Sequence, residues 1–485
     1  MSYSMPLAQL LSVLKIQADD QRQVEELVID SRLVKPGSLF FAYPGDQTDG
    51  RDYIGNACEA GAVAILCEAQ GFTKSDHWPD VPIFTVANLQ SKVGVLAHHF
   101  YRQPSEEMQV FGVTGTNGKT TCCYLLAQAL NQLGLEVAMI GTIGLGKLTE
   151  LQTNTHTTPD PIAVHRLLAL WRDQGVTQVC MEVSSHALVQ SRVAGVQFFC
   201  ALFTNLSHDH LDYHGDMQAY GAAKLLLFTD YPSELVITNA DDELGARIID
   251  VADSGFISSY GEDGDVCLAE IELSATGMSL FIEANGVDLE LQTSLVGKVN
   301  IPNILLLVTT LLSLSTSIED IQSIVSKLQP APGRMELYSH AARPRVVVDY
   351  AHTPDALEKA LLSVREHCQG ELWCVFGCGG DRDRAKRSVM GAVADKYADR
   401  VIVTNDNPRS EDPQAIAQQI IAGIKGDALV VLDRFEAIRT AIDQAKPADW
   451  VLVAGKGHET TQQIGDQYLD FSDRLKVSEV LGAAA

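Results

Sequence analysis

The sequence has few basic residues for its size. Its 485 residues include 36 lysines and arginines against 62 aspartates and glutamates, which gives a formal net charge of −26. Because binding to a nucleic-acid backbone needs a surplus of positive charge, this balance argues against nucleic acid as a general partner. An anionic small molecule is not excluded, but it would need a local concentration of lysines, arginines and backbone N–H groups.

Cysteine is also sparse, and the chain has no long apolar run. The ten cysteines form no C-x-x-C pair, which favours reduced, mostly buried thiols over a disulfide scaffold or a zinc finger. The most apolar stretch, residues 304–318, is too short for a membrane span and contains Thr and Ser. The N-terminus lacks the basic and apolar regions of a signal peptide. We therefore expect a soluble, cytoplasmic protein.

The remaining composition is that of an ordinary globular protein. Hydrophobic residues make up 46% and charged residues 20%, which excludes a disordered or collagen-like chain. The length corresponds to roughly three domains of about 150 residues. Short β-branched runs alternate with amphipathic segments, which predicts βαβ units and a mostly parallel sheet. Typical predicted strands are Val28–Asp30, Val110–Thr114, Val179–Val183, Val346–Tyr350 and Val451–Ala454.

The strongest motif is the segment Gly115–Thr121, G-T-N-G-K-T-T, which follows a predicted strand and opens a predicted helix. Glycines let the backbone wrap a phosphate, the helix N-terminus supplies positive potential, and Lys119 can reach the outer phosphates. Thr120 would ligate Mg²⁺. Val113 stands where the general G-x-x-x-x-G-K-[ST] pattern has its first glycine, so the segment is a narrower kind of nucleotide loop. A plain glycine turn with a surface lysine is the alternative, which the strand–loop–helix context disfavours.

Candidate metal ligands follow the next two predicted strands. Glu182 closes one strand, and the segment Asn205–His214, rich in histidine and aspartate and including His210, follows the next. A glutamate and a histidine from neighbouring strand ends beside a phosphate loop form a candidate site for a hard cation. Taken alone, each histidine could equally be a hydrogen-bonded loop residue. Lys224 lies in a predicted helix, where a solvated charge is the simplest interpretation.

The last third of the chain has charged loops at its strand ends. Arg382 and Arg409 can each bind a carboxylate through two hydrogen bonds, and Glu459 can hold an ammonium group. Two arginines and a glutamate on adjacent loops suit a zwitterion with more than one carboxylate. Each residue taken alone could instead form a surface ion pair.

Together these motifs resemble the Mur ligase family, the ATP-dependent amide-forming enzymes of peptidoglycan precursor synthesis. The resemblance implies an α/β fold of three domains: a small UDP-sugar-binding domain over residues 1–88, a central P-loop ATPase domain with a mostly parallel sheet over residues 89–331, and a Rossmann-like amino-acid-binding domain over residues 332–485. It covers essentially the whole chain and rests on Gly115–Thr121, Met181–His186, Asp209–Asp212, Asn300 with Asn303, Pro332–Arg334, Asp349–Asp355 and Gly455–Glu459.

The tetrapeptide Asp406–Arg409, D-N-P-R, is typical of family members that select meso-2,6-diaminopimelate. The resemblance therefore implies that ATP, with Mg²⁺, phosphorylates the D-Glu γ-carboxylate of UDP-MurNAc-L-Ala-D-Glu. The amine of diaminopimelate then displaces phosphate from the acyl phosphate. We expect a monomer without a nucleic-acid partner or membrane span. Three alternatives remain open: addition of L-lysine, a ligase like folylpolyglutamate synthase, and a non-catalytic nucleotide-binding module.

The resemblance also assigns residues to each substrate. The expected ATP contacts are Gly115, Thr116, Asn117, Gly118, Lys119, Thr120, Thr121, Asn300, Asn303, Arg334 and His352. The expected Mg²⁺ ligands are Thr120, Glu182, His210 and Lys224, the last as N6-carboxylysine, and the expected catalytic residues are Lys119, Lys224 and His210. The expected contacts to the UDP-MurNAc-dipeptide are Ser31, Gln47, Thr48, Thr157, Thr158, Ser184, Gln190 and Arg192. The expected contacts to diaminopimelate are Arg382, Asp406, Asn407, Pro408, Arg409, Gly455 and Glu459.

Overall fold

Parallel strands joined by helical crossovers make up most of the chain, as the alternating pattern predicts. The computed structural model describes residues 3–46, 48–75, 78, 80–154 and 156–482. They form two units, one of residues up to 119 together with 130–258, the other of residues 120–129 together with 259 onward. The helix Lys119–Gln132 and the strand Ser254–Tyr260 cross this division. The boundaries predicted near residues 88 and 332 stay a prediction.

The first unit contains two sheets of mainly parallel strands. The smaller sheet is parallel and has the order Glu26–Val28, Ser38–Ala42, Ala64–Glu68, Ile83–Val86. The part of the larger sheet in this unit has the order Ser254–Tyr260, Ser233–Asn239, Phe198–Phe203, Gln109–Thr114, Gln178–Glu182, Val137–Gly141, Gly144–Gly146, and the last strand is antiparallel to its neighbour. A short antiparallel pair joins Met5–Pro6 to Gln23–Val24.

The central strands of the larger sheet are buried on both faces. Every residue of Val137–Gly141 and of Gln178–Glu182 is buried, because helices cover both sides of such a sheet. Polar side chains are therefore confined to the strand ends and the loops that follow. The helices of this unit are Leu7–Ser12, Ile54–Glu59, Gln90–Phe100, Pro161–Asp173, Ser185–Val189, Leu211–His214, Met217–Thr229 and Glu243–Val251, with 3-10 turns at Ser31–Leu33, Gly50–Tyr53 and Pro104–Glu106.

One predicted strand is displaced along the sequence. The pattern predicts Val28–Asp30, whereas the strand observed is Glu26–Val28. The Asp30 carboxylate accepts a hydrogen bond from the Arg32 backbone N–H at 3.0 Å and begins a 3-10 turn there. Such side-chain capping competes with strand pairing, so the strand ends before Asp30.

The second unit contains a mostly parallel six-stranded sheet. Its order is Glu336–Tyr338, Arg345–Asp349, Trp450–Ala454, Leu372–Phe376, Arg400–Val403, Ala428–Val430, and the first strand is antiparallel to its neighbour. A separate hairpin joins Thr461–Ile464 to Gln467–Asp470. The helices are Ile301–Ser313, Ile318–Lys327, Pro354–Arg365, Ala385–Tyr397, Pro413–Ile421, Arg434–Gln444 and Asp473–Leu481, with a 3-10 turn at Lys298–Asn300.

Three antiparallel strands in this unit were not expected from the sequence. They are Val266–Ser274, Gly277–Ala284 and Val287–Thr293. The last two are joined at Asn285-Gly286, where both residues have positive φ angles of 51° and 81°. Asn-Gly between alternating residues is a strong hairpin pattern, so the sequence did contain the information.

No helix in the described part of the chain combines the length and the apolar composition that crossing a membrane requires.

Candidate active site

The strand register brings three loops of the first unit together. Glu182 is paired with Val113 and Phe203 with Thr114, all on parallel strands. The carboxyl ends of these strands therefore lie side by side, with Gly115–Gly118 following the middle one. Ligands of parallel α/β sheets bind at this edge, so the register confirms that the predicted polar strand ends are neighbours.

The glycine loop is held by hydrogen bonds from the segment that follows the neighbouring strand. The Asn205 carbonyl accepts from the Thr116 N–H at 2.7 Å, and its side-chain Oδ1 accepts from the Asn117 N–H at 3.1 Å. The Thr204 hydroxyl donates to the Asn117 carbonyl at 2.6 Å. Sequence reasoning gave Thr204 and Asn205 no role, although polar residues directly after a buried strand are a recognisable pattern.

Gly115 is required where these segments meet. Its φ is +146°, and a Cβ atom placed there would lie 1.8 Å from the Thr204 hydroxyl oxygen. No side chain larger than hydrogen fits this position without moving one of the two loops.

Two lysine side chains meet at this loop. The Lys119 ammonium donates to the carbonyls of Gly115 at 2.9 Å and Thr116 at 2.8 Å. The Lys224 ammonium donates to the same Gly115 carbonyl at 2.7 Å. Lys224 lies on the helix Met217–Thr229, as predicted, but it is buried rather than solvated. The structure therefore contradicts the interpretation of Lys224 as a surface charge.

The environment of Lys224 favours its neutral form. Burial, reinforced by the positive charge of Lys119, lowers the pKa of Lys224 well below its ordinary value. The Tyr220 ring lies 4.3 Å from Nζ. A neutral amine is a nucleophile, so this side chain can react with CO₂ to form a carbamate.

Glu182 supplies a fully buried carboxylate beside the loop. Its Oε1 accepts from the Thr142 N–H at 2.7 Å, and its Oε2 accepts from the Thr142 hydroxyl at 3.2 Å. Thr142 is another residue that sequence reasoning missed.

His210, the other predicted strand-end ligand, is half-exposed, has φ +52°, and lies 3.5 Å from the Asp209 carboxylate.

The donor set suits Mg²⁺, although protein side chains do not complete a site. No group of three or more His, Cys, Asp and Glu side chains among the described residues could hold a metal ion. The buried Glu182 carboxylate provides the oxygen ligand that a hard cation prefers. A carbamate on Lys224 and the phosphates of a bound nucleotide would add the further oxygens. The assignment of Thr120, Glu182, His210 and Lys224 as ligands stays a prediction.

Histidine and tyrosine rings surround His186 in the same unit. Its ring centroid lies 4.1 Å from that of Tyr213, 5.0 Å from that of His210 and 5.4 Å from that of His214. Burial, with the nearby charge of His210, lowers the pKa of His186 to about 4. His186 is therefore neutral near pH 7 and can act as a hydrogen-bonding group there.

Four residues predicted to contact the dipeptide form one hydrogen-bonded group, called here the Arg192 cluster: Thr158, Ser184, Gln190 and Arg192. Arg192 donates to the Thr158 carbonyl at 2.9 Å and to the Gln190 Oε1 at 2.6 Å. The Thr158 hydroxyl accepts from the Ser184 N–H at 3.2 Å. The Gln190 amide donates to the Asp46 carboxylate at 2.7 Å. The structure thus brings the predicted residues together and adds Asp46.

Three other predicted contacts of this substrate lie outside the strands. Thr157 is 3.0 Å from Thr142 through their hydroxyl groups. Ser31 follows the strand Glu26–Val28, and Thr48 follows Ser38–Ala42. Gln47 lies outside the described residues, so its assignment stays a prediction.

The second unit brings the D-N-P-R loop against the loop at Gly455–Glu459. The Asn407 amide donates to the Glu459 Oε2 at 2.9 Å. A Cβ on Gly455 would lie 2.7 Å from the Asp406 carboxylate. Beneath these loops the buried Arg434 donates to the carbonyls of Asn405 and Ala454, at 3.0 and 2.9 Å.

The two predicted arginines differ in how they are held. Arg409 has φ +50° and donates to the Gly380 carbonyl at 2.7 Å. Arg382 is exposed, and its Cγ would lie 3.8 Å from a Cβ on Gly379. The Arg409 Nη1 would lie 2.9 Å from the same Cβ on Gly379. Both side chains therefore lie beside the Gly379 loop.

The predicted adenine-side residues have structural partners in the second unit. The Asn300 amide donates to the Val296 carbonyl at 2.8 Å, and the Asn303 amide donates to the Asn300 Oδ1 at 3.2 Å. The Arg334 guanidinium lies 4.4 Å from the Tyr350 ring, and the His352 Nδ1 is 2.8 Å from the Tyr350 carbonyl. Their contacts to nucleotide stay predictions.

Comparisons with known proteins match three successive segments of the chain. Residues 23–101 match the Mur ligase family catalytic domain, residues 113–311 the Mur ligase middle domain, and residues 333–457 the Mur ligase glutamate ligase domain. The UDP-N-acetylmuramoyl-L-alanyl-D-glutamate--2,6-diaminopimelate ligase of Coxiella burnetii (strain RSA 493 / Nine Mile phase I) is 46% identical, over 98% of this chain and 99% of that protein.

Solved structures are similar over most or all of the chain. One UDP-N-acetylmuramoyl-L-alanyl-D-glutamate--2,6-diaminopimelate ligase is 32% identical with a TM-score of 0.72, covering 99% of each chain. A folylpolyglutamate synthase of Mycobacterium tuberculosis complexed with ADP and AMPPCP is 15% identical with a TM-score of 0.62, covering 76% of this chain and 93% of that chain. The second similarity shows a shared fold only.

The phosphate loop, its two lysines and the buried carboxylate lie at one edge of an α/β sheet, and the matched domains are those of an ATP-dependent ligase. The chain belongs to the Mur ligase family, whose members use ATP and Mg²⁺ to form amide bonds.

Proposed function

We propose that the chain adds meso-2,6-diaminopimelate to the D-Glu γ-carboxylate of UDP-MurNAc-L-Ala-D-Glu, forming ADP, in the cytoplasm. The observation that carries the proposal is the hydrogen bond from the Asn407 amide to Glu459, which holds the D-N-P-R loop, with its basic Arg409, against the loop of the acidic Glu459. A side chain that carries both an ammonium and a carboxylate group needs an acidic and a basic partner. The 46% identical relative, named for this reaction, supports the same substrates.

The first chemical step is transfer of the ATP γ-phosphoryl group to the γ-carboxylate. The positive charge of Lys119 would neutralise the phosphate oxygens, and the loop N–H groups would orient them. Mg²⁺, when bound, would further neutralise phosphate charge, and Glu182, His210 and Lys224 as its carbamate are the residues proposed to hold it, with Thr120. The Arg192 cluster would bind the dipeptide and hold its carboxylate for this transfer.

The second step is attack of a neutral amine on the acyl phosphate, with inorganic phosphate as leaving group. Arg409 and Arg382 would bind carboxylates of diaminopimelate, because guanidinium groups match carboxylate geometry. Glu459 would bind the ammonium group that does not react. Exclusion of water from the site protects the acyl phosphate from hydrolysis.

Product analysis tests the proposal directly. The chain is incubated with ATP, Mg²⁺, UDP-MurNAc-L-Ala-D-Glu and meso-diaminopimelate, and the nucleotide products are weighed by mass spectrometry. We expect the UDP-MurNAc-tripeptide with one ADP for each tripeptide formed. ADP without tripeptide, or a product formed only with L-lysine, would contradict the proposal.

A further inference from the structure

A buried lysine lies beneath the proposed diaminopimelate site. Lys456 has no exposed surface. Its ammonium donates to the Glu459 Oε2 at 2.8 Å and to the Asn407 Oδ1 at 3.0 Å. A buried charge is costly unless it is paired and hydrogen-bonded, so these contacts keep the ammonium in place. The group formed by Asn407, Lys456, Glu459 and Gln463 is called here the Lys456 network.

The ammonium fixes which way the Asn407 amide points. An ammonium group only donates hydrogen bonds, so it must face the amide oxygen rather than the amide nitrogen. The Gln463 N–H donates to the same Oδ1 at 3.0 Å. Asn407 Nδ2 is thereby directed to Glu459, where it donates to Oε2 at 2.9 Å.

The same contacts orient the Glu459 carboxylate. Two donors of the Lys456 network, Lys456 Nζ and Asn407 Nδ2, bind Oε2. Oε1 accepts no hydrogen bond from the described part of the chain. About a third of the Glu459 side chain is exposed, so Oε1 remains able to accept from an ammonium group of a substrate.

We propose that Lys456 is a positioning residue that sets selectivity for an amino acid whose far end carries both an ammonium and a carboxylate group. It balances the charge of Glu459 and fixes Asn407 and Glu459 in one arrangement. Without Lys456 the site would be more negative by one charge. That charge disfavours binding of the substrate carboxylate but does not disfavour binding of its ammonium group. This inference rests on the proposed function and adds a residue to it.

Substitution of Lys456 by Met tests the inference. K456M removes the charge and the hydrogen bonds while keeping an unbranched side chain. We expect KM for meso-diaminopimelate to rise at least about tenfold with kcat changed by less than about threefold. The ratio of kcat/KM for diaminopimelate to that for L-lysine should fall at least about tenfold. K425M, at an exposed lysine of the same unit, is the control.

A double-mutant cycle separates positioning from general destabilisation. In an E459Q background Lys456 has no carboxylate to orient, so K456M should add much less to KM than it does in the wild type. An equal effect in both backgrounds, or an unchanged selectivity ratio in K456M, would overturn the inference. If K456M does not fold, K456Q, which keeps a polar end without charge, is measured instead against the same two criteria. Wild-type enzyme without diaminopimelate-dependent turnover would refute the proposed function itself, before any variant is compared.

Discussion

Lys119 and Lys224 share one acceptor, the Gly115 carbonyl, although both carry a positive charge when protonated. The like charges and the burial of Lys224 make its protonated form unfavourable. This is the reason that Lys224, unremarkable as a helical lysine in the sequence, stands out in the structure. No sequence pattern distinguishes it, because its burial depends on the packing of distant segments.

Lys224→Ala should lower kcat at least about 100-fold if a carbamate on Lys224 contributes anionic oxygens to the site. Short carboxylic acids such as acetate, which carry similar oxygens, should restore part of the activity. Phosphate release with all substrates present measures both effects, and Lys147→Ala, at a more exposed lysine of the same unit, is the control. Full activity of the alanine variant would contradict the role.

A second buried group, His165, should make the fold sensitive to acid. Its Nε2 lies 2.8 Å from the Ala194 carbonyl, and its ring centroid lies 5.2 Å from that of His98. Burial lowers the pKa of His165 to about 3. The unfolded chain therefore binds a proton near the ordinary histidine pKa that the folded chain does not bind until about pH 3.

Because the unfolded state binds more protons in that interval, stability should decrease as the pH falls below the ordinary histidine pKa of about 6.5. The expected slope from this one group is at most about 1.4 kcal/mol per pH unit. Urea unfolding at several values between about pH 7 and about pH 4.5 measures it. His165→Gln should show a smaller slope than wild type, whereas His340→Gln, at an exposed histidine, should not. Equal slopes in all three proteins would refute the prediction.

Among the elements, the glycine loop was the most predictable from the sequence. The hydrogen bonds that hold the loop in place were the least predictable. The motif and the strand–loop–helix order identify the loop, because glycine, lysine and threonine at fixed spacing have a local physical reason. The hydrogen bonds that Thr204 and Asn205 form with the loop, called here the Thr204 clamp, come from a segment after a strand about ninety residues later, so only the register of the sheet reveals them. The same holds for Thr142, which holds the Glu182 carboxylate.

Gly115→Ala tests the Thr204 clamp. The added Cβ would collide with the Thr204 hydroxyl, and we expect loss of nucleotide binding, measured as loss of the thermal shift that ADP and Mg²⁺ produce. Gly134→Ala is a matched control, because Gly134 also has a positive φ, +82°, but has no atom within 4 Å of the added Cβ. It should keep the shift. A Gly115→Ala protein that binds ADP as the wild type does would exclude the proposed role of the loop.

For the molecule as a whole, alternating strands and helices were sufficient to predict an α/β fold, and the resemblance of the motifs to those of the Mur ligases was sufficient to predict the family. The antiparallel strands between residues 266 and 293 were not predicted, although Asn285-Gly286 is the turn that joins the last two. Buried polar partners such as Lys456 and Arg434 were also missed. They lie next to predicted site residues in the sequence or in space, but their contacts with site groups are a property of the assembled fold.

Phosphate release from ATP and Mg²⁺ in the presence of UDP-MurNAc-L-Ala-D-Glu is the most direct test of the central claim. The rate of release should be measured with meso-diaminopimelate, with L-lysine and without an amino acid, and the three rates compared. We expect sustained release with diaminopimelate, because only its far end offers both the carboxylate that Arg409 can bind and the ammonium group that Glu459 can bind. Equal release with lysine, or release that needs no amino acid, would contradict it.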